Sequence, residues 1–260
     1  MSDQFLLIGT KNGLSGPPGD VDRMEATLRP FGFDIIRCEE KCATVPRIID
    51  HIADLFSTPG RKGIYNTGHG TDSGKYQGWV VWKGVLWDYQ LIEAIDAGYK
   101  PDQHELYVLV DTCYAYGTVL VDGVFRGRNG EKRVPKSLPI QAVKALGFDL
   151  GGVVPGRTIA RPSRMVDLDQ RAKAIVMASC GVNELSTETR DKGGVFTYEF
   201  CFHASKSPRQ HWLDLTEAVA GATRRYDQTC TLRASPANAE QPLFSREQPL
   251  IETYTGTALG

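Results

Sequence analysis

Short apolar runs and helically spaced apolar residues alternate along the first half of the chain. Residues 5–9 are apolar and end in glycine, a pattern that predicts a buried strand. After a Gly/Pro loop, apolar residues recur at helical spacing from Asp20 onwards, and a second such stripe runs from residue 45 to residue 56. The predicted elements of this half are strands at residues 5–9, 33–38 and 62–67 and helices at residues 20–31 and 45–56. They predict repeated β-loop-α units.

The second half continues the alternation. Residues 106–110 (LYVLV) and 174–178 (AIVMA) are apolar throughout, as parallel strands buried on both faces should be. The other predicted elements are a hairpin at residues 79–87, a helix capped by Asp88, and helices at residues 195–202 and 213–226. This order predicts an α/β fold, a three-layer sandwich in which helices cover both faces of a mostly parallel central sheet.

A single domain over residues 1–260 is predicted, because the chain shows no internal repeat and no clear shift of composition. One long segment interrupts the pattern. Residues 117–173 lie between the last two buried strands, and their first half is rich in glycine and basic residues. A loop of this length inside a compact domain is usually functional or disordered. We therefore divide the domain into residues 1–116, an inserted linker of residues 117–173, and residues 174–260.

Composition and charge exclude several classes of protein. Thirty basic and thirty-one acidic residues leave a formal net charge of −1, so no overall field favours nucleic acid or an anionic membrane surface. No stretch approaches the roughly 18 apolar residues of a membrane helix, and the first apolar run is too short for a signal peptide. The six cysteines form no C-x-x-C pair, which argues against zinc sites and disulfide scaffolds and favours the reducing cytoplasm.

His69 and Cys113 each follow the end of a predicted parallel strand. Functional groups gather outside the carboxyl ends of such strands, so neighbouring strands would bring this imidazole and this thiol to one edge of the sheet. A thiolate that attacks a carbonyl needs an imidazole to manage the proton of the leaving amine and backbone N–H groups to hold the oxyanion. The amides of Gly70 and Cys113 are candidates for these N–H groups. The glycines on both sides of the histidine are expected to leave room for an incoming ligand.

These motifs resemble those of one family. The GHG triplet after an apolar strand, the D-T-C triplet and the segment GVFTYEF are similar to motifs of the caspase/metacaspase family of cysteine peptidases, as are LLIGTKNGL, GDVDRM and FGFD near the start. The resemblance covers roughly residues 5–202, and the separation of His69 from Cys113 agrees with the caspase spacing of about 50 residues. It implies a caspase-like fold with large-subunit-like and small-subunit-like parts on either side of the linker. It also implies a cysteine endopeptidase with Cys113 as nucleophile and His69 as general acid and base.

Around the nucleophile the sequence is closer to metacaspases than to caspases. It shares an aspartate two residues before the cysteine with the metacaspase pattern D-S-C-H-S-G, but departs from that pattern at Tyr114 and Ala115. The resemblance implies that Asp111 belongs to the S1 pocket, with Asp20 as a second acid and Thr67 as a nearby hydroxyl. Two carboxylates attract a basic side chain, so we predict cleavage after Arg or Lys. Helix capping is the competing interpretation of Asp20.

The linker and the cofactor requirement complete these expectations. Arg126, Arg128, Lys132 and Arg133 lie where members of the resembled family are often cut between their two parts, so they are candidates for self-cleavage. The chemistry requires no cofactor, and no metal site is predicted. Calcium-dependent metacaspases resemble one another in an acid-rich stretch after the histidine motif, whereas this chain has a single Asp72 there, so calcium activation has little support.

Other interpretations stay open. A histidine or a cysteine alone is often a structural residue, and only the joint placement of His69 and Cys113 favours catalysis. The unusual Tyr114–Ala115 pair leaves room for a catalytically inactive caspase-like scaffold or regulator. A nucleotide-binding domain is disfavoured, because the glycines form neither a G-x-x-x-x-G-K-[ST] loop nor a G-x-G-x-x-G fingerprint. The expected partners are peptide or protein substrates, and the chain is expected to be a monomer or a dimer paired through an edge strand.

Overall fold

A computed structural model of the chain describes residues 2–73, 76–113, 125–126, 132–150, 174–180 and 185–245. Within these residues, the centre of the fold is a six-stranded sheet. From one edge to the other, with strands numbered along the chain, its strands are β13 (Thr231–Ala234), β10 (Ala174–Ala178), β7 (His104–Asp111), β3 (Gly60–Thr67), β1 (Gln4–Gly9) and β2 (Asp34–Glu39). All neighbours are parallel except β13, which is antiparallel to β10.

Helices cover both faces of this sheet. On one face lie α2 (Val45–Leu55) and α3 (Asp88–Gly98), and on the other lie α1 (Pro17–Leu28), α5 (Val195–Lys206) and α6 (Trp212–Thr223). Alternate residues of β1 face opposite layers: Leu6 and Ile8 pack in the first core, whereas Phe5 and Leu7 pack in the second. The predicted α/β fold with three layers and a mostly parallel sheet is therefore confirmed.

Two smaller sheets lie beside the central one. The first contains β4 (Gly70–Asp72), β5 (Gln77–Val81) and β6 (Gly84–Trp87), and the second contains β8 (Phe125–Arg126), β9 (Lys132–Pro135), β11 (Thr187–Thr189) and β12 (Gly193–Gly194). The second sheet joins part of the linker to the segment that follows β10. Two short helices, α4 (Ile140–Ala145) and α7 (Pro236–Ala239), complete the described α-helices, and three short 3₁₀ helices lie at residues 29–31, 40–42 and 224–226.

The structure corrects two predicted helix starts. Helix α1 begins at Pro17 and its N-cap is Gly16, because prolines in the first turn need no N–H partner and have a suitable φ. Helix capping by Asp20 is therefore wrong. Helix α3 begins at Asp88 itself, and its N-cap is Trp87. No helix in the described ranges is both long and apolar enough to span a bilayer.

Candidate active site

Strands β3 and β7 bring the predicted histidine and cysteine to the same edge of the sheet. The two strands are parallel neighbours, and Thr67 at the end of β3 pairs directly with Asp111 at the end of β7. His69 and Cys113 each lie two residues beyond one of these paired positions. Because the strands are in register, the segments that carry the imidazole and the thiol leave the sheet side by side.

The glycines around the histidine allow a close approach of two backbone segments. Gly68 has a φ of +151°, a conformation that L side chains rarely adopt. At Gly70 a Cβ atom would overlap the carbonyl oxygen of Cys113. The amides of Gly70 and Cys113 both donate to the carbonyl oxygen of Lys136, at 2.8 Å and 3.3 Å. Two backbone N–H groups thus converge on one carbonyl, which is the arrangement that an oxyanion hole requires.

The side chain of the same lysine enters a buried acidic pocket. The Nζ atom of Lys136 lies 2.9 Å from Oδ2 of Asp111 and 3.2 Å from Oδ2 of Asp20, and none of the three side chains is exposed to solvent. The ammonium also donates to Oγ1 of Thr67 at 2.9 Å. The three residues that the sequence assigned to the S1 pocket therefore surround one lysine.

Neighbouring donors fix the orientation of both carboxylates. Asp111 accepts hydrogen bonds from the hydroxyls of Ser186 (2.7 Å) and Thr197 (2.6 Å) and from the amide of Thr197 (3.3 Å). Asp20 accepts from the amide of Gly194 (2.9 Å), and a Cβ atom at Gly194 would overlap Asp111 and the lysine nitrogen. Any side chain at position 194 would therefore take up space that the lysine ammonium occupies, so the pocket requires a glycine there.

Burial and charge act in opposite directions on the ionisable groups of the pocket. Burial raises the pKa of Asp20, and Asp111 raises it further, while Lys136 opposes the shift. Burial disfavours the ammonium of Lys136, but the carboxylates of Asp111 and Asp20 outweigh this effect and raise its pKa. The lysine therefore carries its charge, and it lowers the cost of ionising Asp20.

The thiol and the imidazole are uncharged near neutral pH. Burial raises the pKa of Cys113 well above its ordinary value, and Cys180 raises it further. The thiol donates to the carbonyl oxygen of Ser186 at 3.1 Å. Burial, followed by the charge of Lys136, lowers the pKa of His69 from 6.5 to about 4. Its Nδ1 atom is buried without a hydrogen-bond partner within the part of the chain that the structure describes.

The structure also locates the predicted self-cleavage residues in part. Arg126 lies in β8, and Lys132 and Arg133 lie in β9. Arg128 lies outside the described residues, as do Tyr114 and Ala115. Self-cleavage at the four basic residues stays a prediction.

Sequence reasoning missed four residues of the pocket. Gly194 and Thr197 belong to the segment GVFTYEF, so the motif was noted but not the contacts that these residues make with Asp20 and Asp111. Ser186 follows a stretch with no recognisable motif. Lys136 belongs to the same basic run as the four candidate cleavage residues, and this position in the linker is the sequence feature that could have indicated it.

Metal binding receives no further support from the described residues. Among them, no group of three or more His, Cys, Asp or Glu side chains is placed to hold an ion. Calcium activation therefore stays an untested expectation.

Comparison with known proteins places the chain in a family. The peptidase C14 caspase-domain model matches residues 3–249, so the chain belongs to the caspase-domain family. Membership supports cysteine peptidase activity in general and confirms the family predicted from the motifs. No curated protein sequence matches the chain.

Two solved structures share the fold. Protein GSU0716 from Geobacter sulfurreducens has a TM-score of 0.70 at 18% identity, with 94% of this chain and 99% of that chain covered. Caspase-1 from Spodoptera frugiperda has a TM-score of 0.60 at 10% identity, with 96% of this chain and 92% of that chain covered. At these identities the likeness establishes the fold alone. The closer kinship to metacaspases stays a prediction.

Proposed function

We propose that this protein is a cysteine endopeptidase that cleaves after Lys or Arg, with Cys113 as nucleophile and His69 as general acid and base. One observation carries the proposal. The ammonium of Lys136 lies between Asp20 and Asp111 while the carbonyl oxygen of the same residue accepts from the amides of Gly70 and Cys113. The P1 residue of a substrate must place its side chain in the acidic pocket and its carbonyl oxygen on the two amides at the same time, because binding and carbonyl activation have to occur in one geometry.

The chemistry follows from these positions. The thiol of Cys113 transfers its proton to His69 as the sulfur adds to the carbonyl carbon, and the two amides stabilise the oxyanion. His69 then protonates the leaving amine, which leaves a thioester on the cysteine. Water, deprotonated by His69, hydrolyses the thioester and restores the thiol. No cofactor is required at any of these steps.

The charge of the pocket sets the specificity. Two buried carboxylates favour a cation, and the planar guanidinium of arginine can pair with them as well as lysine does. An acidic P1 side chain would add a third negative charge to Asp20 and Asp111, which like-charge repulsion disfavours. We therefore propose cleavage after basic residues and not after aspartate.

Three further expectations belong to this proposal. They are self-cleavage within the basic part of the linker, a cytoplasmic location, and a monomer or a dimer paired through an edge strand. Strand β13 is the outermost described strand beside β10 and has half-exposed residues throughout. It is the edge that such a dimer would use.

Fluorogenic peptides with Lys, Arg, Asp or Gln at P1 test the proposal, each with calcium and with a chelator. Because Lys136 itself occupies the pocket, the assay includes Lys136→Gln beside wild type. We expect hydrolysis after Lys and Arg, none after Asp, and none with Cys113→Ala. Asp111→Asn removes one charge-assisted hydrogen bond of about 1.5–3 kcal/mol, so kcat/KM for basic peptides should fall roughly 10- to 100-fold.

An inactive scaffold is the second candidate. The buried thiol of Cys113, hydrogen-bonded to Ser186 and with a raised pKa, favours it because the thiolate is the reactive form. An arginyl ketone that alkylates the cysteine discriminates the two functions. Labelling that is absent from both wild type and Lys136→Gln, together with no peptide hydrolysis, would establish the scaffold.

A further inference from the structure

We propose that the acidic pocket selects lysine over arginine at P1, and that Tyr65 on the floor of the pocket is the residue that determines this selection. The proposal rests on the peptidase activity proposed above and narrows its substrates from basic residues to one of them. Two carboxylates taken alone accept either cation. In this pocket the hydrogen-bond partners of the carboxylates and the space beside them decide between the two.

The ammonium of Lys136 shows how the pocket holds a cation. An ammonium has three N–H donors and no acceptor. Three oxygen atoms surround Nζ, namely Oδ2 of Asp111 at 2.9 Å, Oγ1 of Thr67 at 2.9 Å and Oδ2 of Asp20 at 3.2 Å. The carbonyl oxygen of Asp111 is a more distant acceptor at 3.4 Å. Donors and near acceptors are therefore matched in number when the side chain in the pocket is a lysine.

Each carboxylate directs one oxygen at the cation and gives the other to protein donors. Oδ1 of Asp111 accepts from the hydroxyl of Ser186 at 2.7 Å. Oδ1 of Asp20 accepts from the amide of Gly194 at 2.9 Å and from Nη1 of Arg23 at 3.4 Å. Arginine is favoured where its planar fork meets both oxygens of one carboxylate. Neither of these two acids is turned to receive that fork.

The backbone of residue 194 closes the pocket beside the cation. A Cβ atom at Gly194 would overlap both the nitrogen of Lys136 and Oδ2 of Asp111, so the main chain there already contacts the ammonium. In arginine the central guanidinium carbon takes the place that the ammonium nitrogen has in lysine, and two further nitrogens extend beyond it. The space for these two nitrogens must therefore come from the deeper end of the pocket.

Tyr65 forms this deeper end. It precedes Thr67 by two residues on β3, so both side chains leave the same face of the sheet, and Tyr65 lies further from the edge where Lys136 enters. The phenol is fully buried, and its hydroxyl lies 2.6 Å from Oγ1 of Thr197. The Thr197 hydroxyl gives its single proton to Asp111, so the phenol is the donor of that pair. Tyr65 therefore takes the acceptor position that Thr197 would otherwise offer to a longer cation.

The two acids keep the phenol protonated. Burial raises the pKa of Tyr65 well above its ordinary value, and the charges of Asp20 and Asp111 raise it further. The phenol therefore lies close to both carboxylates and donates to Thr197 at any pH at which peptide hydrolysis would be measured. Its position and its proton are fixed parts of the pocket.

Removal of the phenol oxygen would have two effects on the pocket. Tyr65→Phe keeps the ring in the core, but it leaves the space of one oxygen atom at the floor and frees Oγ1 of Thr197 to accept an N–H. Both effects favour the larger cation. The three oxygens that hold a lysine ammonium stay in place, because none of them belongs to Tyr65. The substitution should therefore help arginine and leave lysine nearly unaffected.

The first measurement needs no catalysis. Lys136 itself occupies the pocket, so Lys136→Arg places an arginine there in the full chain, and urea unfolding in a Cys113→Ala background records the effect. We expect Lys136→Arg to lower the urea midpoint, and to lower it less when Tyr65→Phe is also present, since the two positions are coupled. Lys144→Arg, at an exposed position of α4, is the matched control and should leave the midpoint unchanged.

The second measurement uses pairs of fluorogenic peptides that differ only in Lys or Arg at P1. We compare kcat/KM for wild type and Lys136→Gln, each with and without Tyr65→Phe. Lysine should be preferred roughly 10- to 100-fold, which corresponds to one charge-assisted hydrogen bond. Tyr65→Phe should reduce this ratio about tenfold, mainly through faster cleavage after arginine.

Tyr107→Phe is the matched control for the loss of a buried phenol oxygen. Tyr107 is buried on the neighbouring strand β7, and its hydroxyl donates to Glu105 at 2.8 Å and not to a group of the pocket. This variant loses a hydrogen bond in the same core, so it should change stability while the ratio of lysine to arginine cleavage stays as in wild type. The ratio thus separates a role in specificity from a merely structural one.

Three results would overturn the inference. Equal midpoints for Lys136→Arg and Lys144→Arg would show that the pocket holds a guanidinium as well as an ammonium. Cleavage after arginine as fast as after lysine would remove the selection and leave the peptidase standing. A ratio that Tyr65→Phe changes no more than Tyr107→Phe does would remove Tyr65 as its determinant. If no variant cleaves any peptide, the proposed function fails, and the urea midpoints still decide whether the pocket selects lysine.

Discussion

The ammonium of Lys136 lies 2.9 Å from Oδ2 of Asp111, and neither side chain is exposed to solvent. A fully buried ion pair is costly to form and still more costly to break from one side, because the remaining charge stays buried without compensation. Here Asp20 shares the same ammonium, so removal of the lysine would leave two acids together. The stability of the chain therefore depends on the presence of the Lys136 ammonium in the pocket.

Lys136→Gln should destabilise the intact protein by about 3–5 kcal/mol, since it leaves Asp20 and Asp111 without their cation. Urea unfolding at neutral pH measures the effect, in a Cys113→Ala background that lacks the proposed nucleophile. Lys144→Gln should change stability by less than about 0.5 kcal/mol, as is usual for exposed positions. If the two substitutions changed the free energy of unfolding equally, groups other than Lys136 would have to compensate the buried charges of Asp20 and Asp111.

Gly194→Ala should abolish cleavage after Lys and Arg, because a methyl group there would overlap the carboxylate of Asp111 and the nitrogen of any P1 ammonium. Peptide hydrolysis by the purified variant measures this. Gly221→Ala is the matched control: its Cβ would meet nothing within 4 Å, and the residue lies inside α6. That control should stabilise the protein by about 0.5–1 kcal/mol and leave hydrolysis unchanged.

Stability should fall as the pH drops from 6.5 towards 4, in part because of His69. Its pKa is about 4 in the folded protein and near 6.5 when unfolded, so in this window the unfolded state binds the proton first. The contribution that is lost amounts to about 3 kcal/mol. Urea unfolding at several pH values, compared between wild type and His69→Gln, measures it. A variant with the same slope as wild type would show that the imidazole titrates normally in the folded protein.

Cys113 should react slowly with iodoacetamide in the intact chain, and more slowly than the exposed Cys42. Its thiol is buried, donates to the carbonyl oxygen of Ser186 and has a raised pKa, so little thiolate exists near neutral pH. Cys42 is exposed and provides an internal standard in the same digest. Labelling of Cys113 at the rate of Cys42 in wild type would contradict this explanation.

The layers of the fold could be predicted because they depend on local periodicity. Phe5 and Leu7 face one layer and Leu6 and Ile8 the other, and a strand buried on both faces has this uninterrupted apolar run. The start of α1 is harder to predict, because the pair Pro17–Pro18 is typical of a loop and is also favoured in the first turn of a helix.

The site could be predicted as far as it follows from strand ends and motifs. Thr67 and Asp111 end neighbouring strands, and the resemblance added Asp20. The position of Lys136 could not be derived, because β9 is held on β11 by backbone hydrogen bonds that any extended sequence can make. Pairing over such a distance along the chain leaves no local pattern.

The central sheet is assembled from both sides of Lys136. Strand β7 precedes this residue and its parallel neighbour β10 follows it, and Glu188 accepts hydrogen bonds from the amides of Ser15 and Gly16 at the start of α1. Breaking the chain at Lys136 would therefore interrupt neither the sheet nor its two cores. A cut anywhere in the linker would leave the parts before and after it held together by the pairing of β7 with β10 and by the hydrogen bonds that Glu188 accepts.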